Sequence, residues 1–286
     1  MGNTTLRIMS NNIWWCDGNR EAWESKGLDC SAEHRADGFY RVYKELMPDI
    51  IGLQECTALM AKHLMTLFAE DNAPYAFLWG RDTPIVYRRD KLELVDSQVL
   101  IYPEQIEGYE GEFNNAKTKS YCIGVFRIKE NGKLLIFATT HLWYKSSDPE
   151  SRIYQAYSAE ARTYQLNLLC DKLDELQKYY NCPSIIVGDL NTHYNSQAIQ
   201  SVLKRGFVHG HDVSLKPADD ITGTHYCFGD GFTVGMDEGG FARAIDHLLI
   251  KGASENSVKC YERYTPDYYM PLSDHFPLWI DLETTW

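Results

Sequence analysis

The chain has 286 residues, of which 44% are hydrophobic and 24% charged, proportions of a globular protein that exclude intrinsic disorder and a fibrous repeat. Its 28 Lys and Arg against 40 Asp and Glu leave a net charge of −12. That balance disfavours a general binder of long nucleic acid, because grip on a phosphate backbone comes from Lys and Arg that release counterions.

In chain order, residues 5–13 alternate Leu6, Ile8 and Ser10, a strand that runs into polar Asn11-Asn12. Residues 31–47 predict a helix capped by Ser31, with Phe39, Val42, Tyr43 and Leu46 on one stripe. Pro48-Asp49 ends it, and Ile50–Leu53 is a short buried strand leading to Gln54-Glu55. A second helix is expected over roughly 57–70. The middle is rich in β-branched and aromatic residues, predicting strands at 84–89, 92–102, 120–129 and 133–142, the last two joined by a two-residue turn at Asn131-Gly132. A long helix follows at about 150–179, then a strand at 184–190 that is almost wholly apolar and therefore buried on both faces. After a short helix near 196–204 comes a loop-heavy stretch, 209–243, and then strands at 244–250 and 277–283. No repeat, low-complexity segment or linker divides the chain, so residues 1–286 are expected to form a single domain. The alternation of strands and helices, with a central antiparallel hairpin, predicts mixed sheets with helices outside.

No apolar run approaches the ~18–20 residues of a membrane span, and no membrane partner is expected. The N-terminus lacks the basic and apolar regions of a secretory signal, so a cytoplasmic location is expected. The eight cysteines contain no C-x-x-C, and are read as free thiols acting as small hydrophobes.

Polar residues recur where apolar strands end: Asn11-Asn12, Glu55, His141, Asp189-x-Asn191 and Asp246-His247, with Ser273-Asp274-His275 near the C-terminus. Strand ends are rigid mounts, and their recurrence points to one assembled site. The oxygen donors Glu55, Asp274 and Asn12 suit a hard cation such as Mg²⁺. His141 and His275 suit charge stabilisation or proton transfer near neutral pH. No H-E-x-x-H or Cys cluster offers a cage for zinc.

Taken in order, Ser10-Asn11-Asn12, Leu53-Gln54-Glu55, Thr140-His141-Leu142, Gly188-Asp189-Leu190-Asn191, Ile245-Asp246-His247 and Ser273-Asp274-His275 resemble the motifs of the endonuclease/exonuclease/phosphatase superfamily, the deoxyribonuclease I-like metal-dependent phosphoesterases. The resemblance spans Leu6 to about Leu282, and GDLN and SDH are its most specific pieces. It implies an α/β (α+β) four-layer sandwich, two mixed β-sheets packed face to face with helices outside and the site at one end. It also implies roles. Glu55 would bind Mg²⁺ (Mn²⁺ as substitute) with Asn12 beside it and Asp274 near the metal. Asp189 would orient or deprotonate the attacking water, and Asn191 would hold water and phosphate. His275 would contact the scissile phosphate, its other nitrogen fixed by Asp246, and His141 would stabilise the phosphate or protonate the leaving oxygen. The THL motif at 140–142 resembles that of the branch containing deoxyribonuclease I and the deadenylases, which disfavours abasic-site repair.

Two positions depart from that pattern. Arg81 or Asp82 stands where many relatives carry a glutamate, and His247 stands where tyrosine or phenylalanine is usual. His209, His211, His225 and His247 are expected in core or loop roles, though His225 lies in a region able to approach substrate. Trp14 and Trp15 open a segment, 14–35, read either as an aromatic lip for a base or sugar or as a packed loop. Four glutamates in 102–119 would repel long polyanions if that loop lies at the mouth. The expected activity is hydrolysis of a phosphodiester or phosphomonoester in a small or short substrate. The alternatives are a nuclease, a lipid phosphodiesterase or a non-catalytic binding module. No protein partner can be inferred.

Overall fold

A computed structural model describes residues 4–15, 20–25, 27–218, 244–269 and 271–286. The first sheet contains β1 (Thr5–Asn12), β2 (Ile50–Gln54), β3 (Tyr75–Leu78), β4 (Ile85–Arg88), β11 (Val258–Arg263) and β12 (Leu278–Glu283), in the order β11-β12-β1-β2-β4-β3. The second contains β5 (Leu92–Ile101), β6 (Ser120–Ile128), β7 (Leu134–His141), β8 (Ser184–Asp189), β9 (Val208–His209) and β10 (Asp246–Lys251), in the order β5-β6-β7-β8-β10-β9. Both sheets are mixed: β1 runs parallel to β2 and β7 parallel to β8, and the other pairs are antiparallel.

The inner faces of the sheets share one apolar core that includes Ile8, Ile50, Phe126, Phe137, Ile185, Val187, Leu248 and Ile280. Gly52 of β2 marks how closely they pack, because a Cβ there would stand 2.4 Å from Val187 Cγ2 of the opposite sheet. Helices α2 (Ala32–Leu46) and α3 (Ala58–Glu70) cover the outer face of the first sheet through Phe39, Val42, Tyr43, Met60 and Leu64. Helices α4 (Ser158–Tyr180) and α5 (Gln197–Leu203) cover the second through Leu166, Leu169, Leu173, Ile199 and Val202. The result is the expected four-layer sandwich. Ser31, Thr57 and Ser196 cap their helices by accepting backbone N–H bonds from His34, Met60 and Ile199.

Some expectations shift. The hairpin between β6 and β7 needs residues 129–133 rather than two, because only Gly132 takes positive φ and Asn131 turns its side chain to Lys133 N–H and Thr284. Helix α4 begins at Ser158, eight residues later than about 150, since Ser146 and Tyr154 form a β-bridge and Tyr157 lies in the left-handed region. A five-residue helix α1 (Arg20–Glu24), the edge strand β3, β9 and β11 had no clear sequence signal. The cysteines among the described residues are free. No helix of the described residues is long and apolar enough to cross a membrane.

Candidate active site

Two parallel pairings and the antiparallel pair of β8 with β10 bring strand ends together. In register, Asn12 stands beside Gln54, whose successor is Glu55; His141 stands beside Asp189, and Asp189 beside Asp246. Five separate stretches of chain therefore deliver polar residues to one end of the sandwich.

Asn12 and Asn11 part company through strand alternation. Asn12 points into the site, and its amide donates to Glu55 Oε1 (3.2 Å) and Asp189 Oδ2 (3.0 Å), while its carbonyl oxygen accepts the Trp14 N–H. Asn11 points to the helix layer, between the hydroxyls of Tyr43 and Tyr269. Glu55 has φ 59° and Asn191 φ 49°, left-handed backbone that non-glycine residues adopt sparingly and that clusters at functional sites. Gly188, just before Asp189, has φ 151°, and a Cβ there would stand 2.0 Å from the Thr140 carbonyl oxygen. Only glycine lets β8 lie this close to β7 before the motif begins.

Asp189 is the hub. Its Oδ1 accepts the Asn191 N–H at 2.9 Å, and its Oδ2 lies 3.4 Å from His141 Nε2 and 3.7 Å from His275 Nε2. Burial and the neighbouring Asp246 carboxylate raise its pKa to about 6, against the opposing pull of His275 and Lys119. The Asp274 carboxyl is raised to about 7, by burial first and then by the charges of Glu55 and Asp189, with His275 opposing. His275 Nδ1 donates to Asp246 Oδ2 at 2.7 Å. Burial alone would depress the His275 pKa, but the carboxylates of Asp246, Asp189 and Asp274 outweigh it and raise it well above the ordinary value. His275 is therefore a cation held in place by Asp246. Ser273 binds the SDH turn to β1, its hydroxyl donating to the Asn12 carbonyl at 2.7 Å.

His141 is in the opposite state. Burial, then the positive charges of Lys119 and His275, push its pKa well below the ordinary value, so it is neutral. Lys119 Nζ lies against the ring, 2.8 Å from its Nε2 and 3.2 Å from its Nδ1. Lys119, missed in the sequence reading, is almost wholly buried, and burial lowers its pKa to about 8 while Glu55, Asp189 and Asp82 resist. A signal existed: Tyr121 pairs with Thr140 in the β6–β7 hairpin, and continuing that register two steps sets Lys119 across from the residue after His141. Asp82, at the departure from the family pattern, is half-buried with its pKa raised by burial, and Arg81 is exposed.

Glu55, His141 and Asp189 each bring a ligand atom within 4.8 Å of the others, a group able to hold a metal ion. The donor set fits a hard divalent cation, since the carboxyl groups of Glu55, Asp189 and Asp274 crowd together and two of them have raised pKa values that a cation would relieve. Of the two tryptophans, Trp15 is 53% exposed and its N–H bonds Glu55 Oε2, whereas Trp14 is buried edge-on against Trp23. His225 lies outside the described residues.

A family model for the Endonuclease/Exonuclease/phosphatase family matches residues 12–275. The fold is similar to that of an endonuclease/exonuclease/phosphatase family protein from Bacteroides thetaiotaomicron, at a TM-score of 0.74, 20% identity and coverage of 99% and 98% of the two chains. It is also similar to a mannosyl-6-phosphatase of Bacteroides thetaiotaomicron (0.71, 20%, 97% and 99%) and to D. rerio TDP2 complexed with single strand DNA product (0.64, 17%, 97% and 98%). No curated protein matches the sequence.

Proposed function

This chain belongs to the endonuclease/exonuclease/phosphatase family, and from that premise we propose that it is a magnesium-dependent phosphoesterase acting on a phosphodiester or phosphomonoester of a small or short substrate. The observation that carries this reading is the convergence of Asn12, Glu55, His141, Asp189 and His275 around one point. Glu55 and Asp274 would hold Mg²⁺, or Mn²⁺ in its place, with Asn12 steadying the carboxylates. When bound, the ion supplies Lewis acidity on a phosphoryl oxygen.

The remaining chemistry belongs to the side chains. Asp189, with a pKa of about 6, orients the attacking water and takes its proton near neutral pH. The water oxygen bonds to phosphorus as the bond to the leaving oxygen breaks on the opposite side, with no covalent enzyme intermediate. His275, cationic and gripped by Asp246, contacts the scissile phosphate. Asn191 helps hold water and phosphate. Neutral His141 and the Lys119 ammonium stabilise the charge that develops on the other side. Trp15 offers an exposed face for a base or sugar at the lip, while Trp14 is packed edge-on against Trp23.

A second reading, cleavage of DNA or RNA, is favoured by the likeness to a TDP2 structure whose complex contains single strand DNA product. The likeness to a mannosyl-6-phosphatase favours a small monoester instead. One panel separates them: bis-p-nitrophenyl phosphate, p-nitrophenyl phosphate, hexose phosphates, short RNA and plasmid DNA, each with and without Mg²⁺. Metal-dependent turnover is expected, falling by about 10³-fold in Asp189→Ala and in His275→Ala. Turnover that persists in chelator, or in either variant, would sink the mechanism.

A further inference from the structure

The histidine that departs from the family pattern, His247, sits beside the site without touching it. It follows Asp246 on β10, opposite Gly188 of β8, and is fully buried, as is His209 of β9. His247 Nε2 lies 2.8 Å from the Thr192 carbonyl oxygen. His247 Nδ1 lies 3.0 Å from His209 Nε2. His209 Nδ1 lies 3.2 Å from the backbone nitrogen of His211.

Along these three contacts the donors and acceptors run in one direction. A carbonyl oxygen only accepts, so His247 carries its hydrogen on Nε2 and its Nδ1 has a lone pair. A backbone N–H only donates, so His209 keeps its lone pair on Nδ1 and its hydrogen on Nε2. The two deductions meet without conflict: the His211 N–H donates to His209, His209 to His247, and His247 to Thr192. A proton added to either ring would set hydrogen against hydrogen. Burial favours the same neutral state for both rings, lowering the His247 pKa to about 4 and that of His209 well below its ordinary value.

Thr192 directly follows Asn191. The stretch between Asp189 and Thr192 is pinned by the Leu190 N–H to the Ile245 carbonyl, by the Asn191 side chain to the Leu142 carbonyl and by the His247 imidazole to the Thr192 carbonyl. Two consecutive residues of β10 thus hold two parts of the site, Asp246 gripping His275 and His247 gripping the Asn191 turn.

We propose that His209 and His247 form a neutral, one-directional imidazole relay that positions Asn191 through the Thr192 carbonyl, an inference that rests on the active-site reading above. They are positioning residues, since neither reaches the reacting atoms.

Two measurements test it on the full chain. Long-range ¹H–¹⁵N correlation spectra of histidine-labelled protein are expected to place both rings in the neutral Nε2–H tautomer between pH 6 and 8. An Nδ1–H tautomer or an imidazolium at either ring in that range overturns the relay. The second is a double-mutant cycle on bis-p-nitrophenyl phosphate with Mg²⁺. His247→Phe is expected to lower kcat/KM about tenfold in the parent and less than about twofold in an Asn191→Ala background. His247→Gln, whose amide both accepts from His209 and donates to Thr192, should recover most of that loss. Equal losses in both backgrounds, or no recovery by glutamine, would show that His247 does not act through Asn191. If the parent turns over no phosphate ester, the active-site reading falls on its own, while the tautomers still decide whether the relay exists.

Discussion

An ammonium moved out of water is held only where opposite charge or acceptors compensate, and Lys119 meets that requirement with Glu55, Asp189 and Asp82 around it and the His141 ring against it. The same crowding explains why the two site histidines differ. At His275 the carboxylates of Asp246, Asp189 and Asp274 outweigh burial and raise its pKa; at His141 burial comes first, and the charges of Lys119 and His275 add to it and lower its pKa. Environment assigns the protonation states, as it does wherever paired titratable groups are pushed apart. Lys119→Met keeps much of the volume and removes the charge. It is expected to lower kcat on a phosphodiester about 100-fold with a smaller change in KM, as loss of a transition-state contact does. Steady-state kinetics within twofold of the parent would make Lys119 a structural cation instead.

Among the elements, the loops at the site are tied back to helices rather than left free. The buried Arg35 of α2 donates to the carbonyls of Ile13 and Trp14 after β1 and to the Leu272 carbonyl before the SDH turn, so one guanidinium joins two motifs distant in sequence. At the other end of α2, Glu45 accepts from the hydroxyls of Tyr264 and Tyr268 in the connection between β11 and β12, and from Arg41. Those hydrogen bonds, Tyr264 first, lower its pKa to about 2. A carboxyl whose folded pKa is depressed contributes stability that is present above its unfolded value of about 4.3 and is lost as pH falls through the folded one. The difference in Tm between the parent and Glu45→Gln should therefore be constant from pH 5 to 7 and shrink toward zero between about pH 4.3 and 2. A difference that survives to the acid end would assign the contact to packing of the tyrosine rings.

For the whole molecule, the net charge of −12 and the exposed Glu104, Glu107, Glu110 and Glu112 act together. The loop carrying those glutamates ends at Lys119, so it leads directly to the site. A negative field at the mouth slows approach of a polyanion and is screened by salt over about 8–10 Å. With Mg²⁺ fixed, kcat/KM for plasmid DNA should rise or stay level as NaCl goes from 20 to about 150 mM, whereas a nuclease that grips many phosphates would lose activity steeply. A steep fall would favour the nuclease reading. The rate on a small, singly charged diester such as bis-p-nitrophenyl phosphate should change little over the same range.

Much of this architecture is legible in the chain itself. Asn12, Glu55, His141, Asp189 and Asp246 can be picked out because each ends, begins or directly follows a strand whose apolar run is unmistakable, and strand alternation with helix caps at Ser31, Thr57 and Ser196 accounts for most element boundaries. Strand β3 escaped because all four of its residues are half-buried and show no alternation, and α1 because five residues make too short a period to recognise. Lys119 and the His209–His247 relay escaped for a different reason. Their meaning lies in register between strands and in what burial does to an ionisable group, and neither is a property of a local stretch of sequence. Sequence by itself therefore determined which residue types reach the ends of the strands. Only the tertiary structure decided which of them are charged, because a pKa depends on the neighbours that folding brings within a few ångströms.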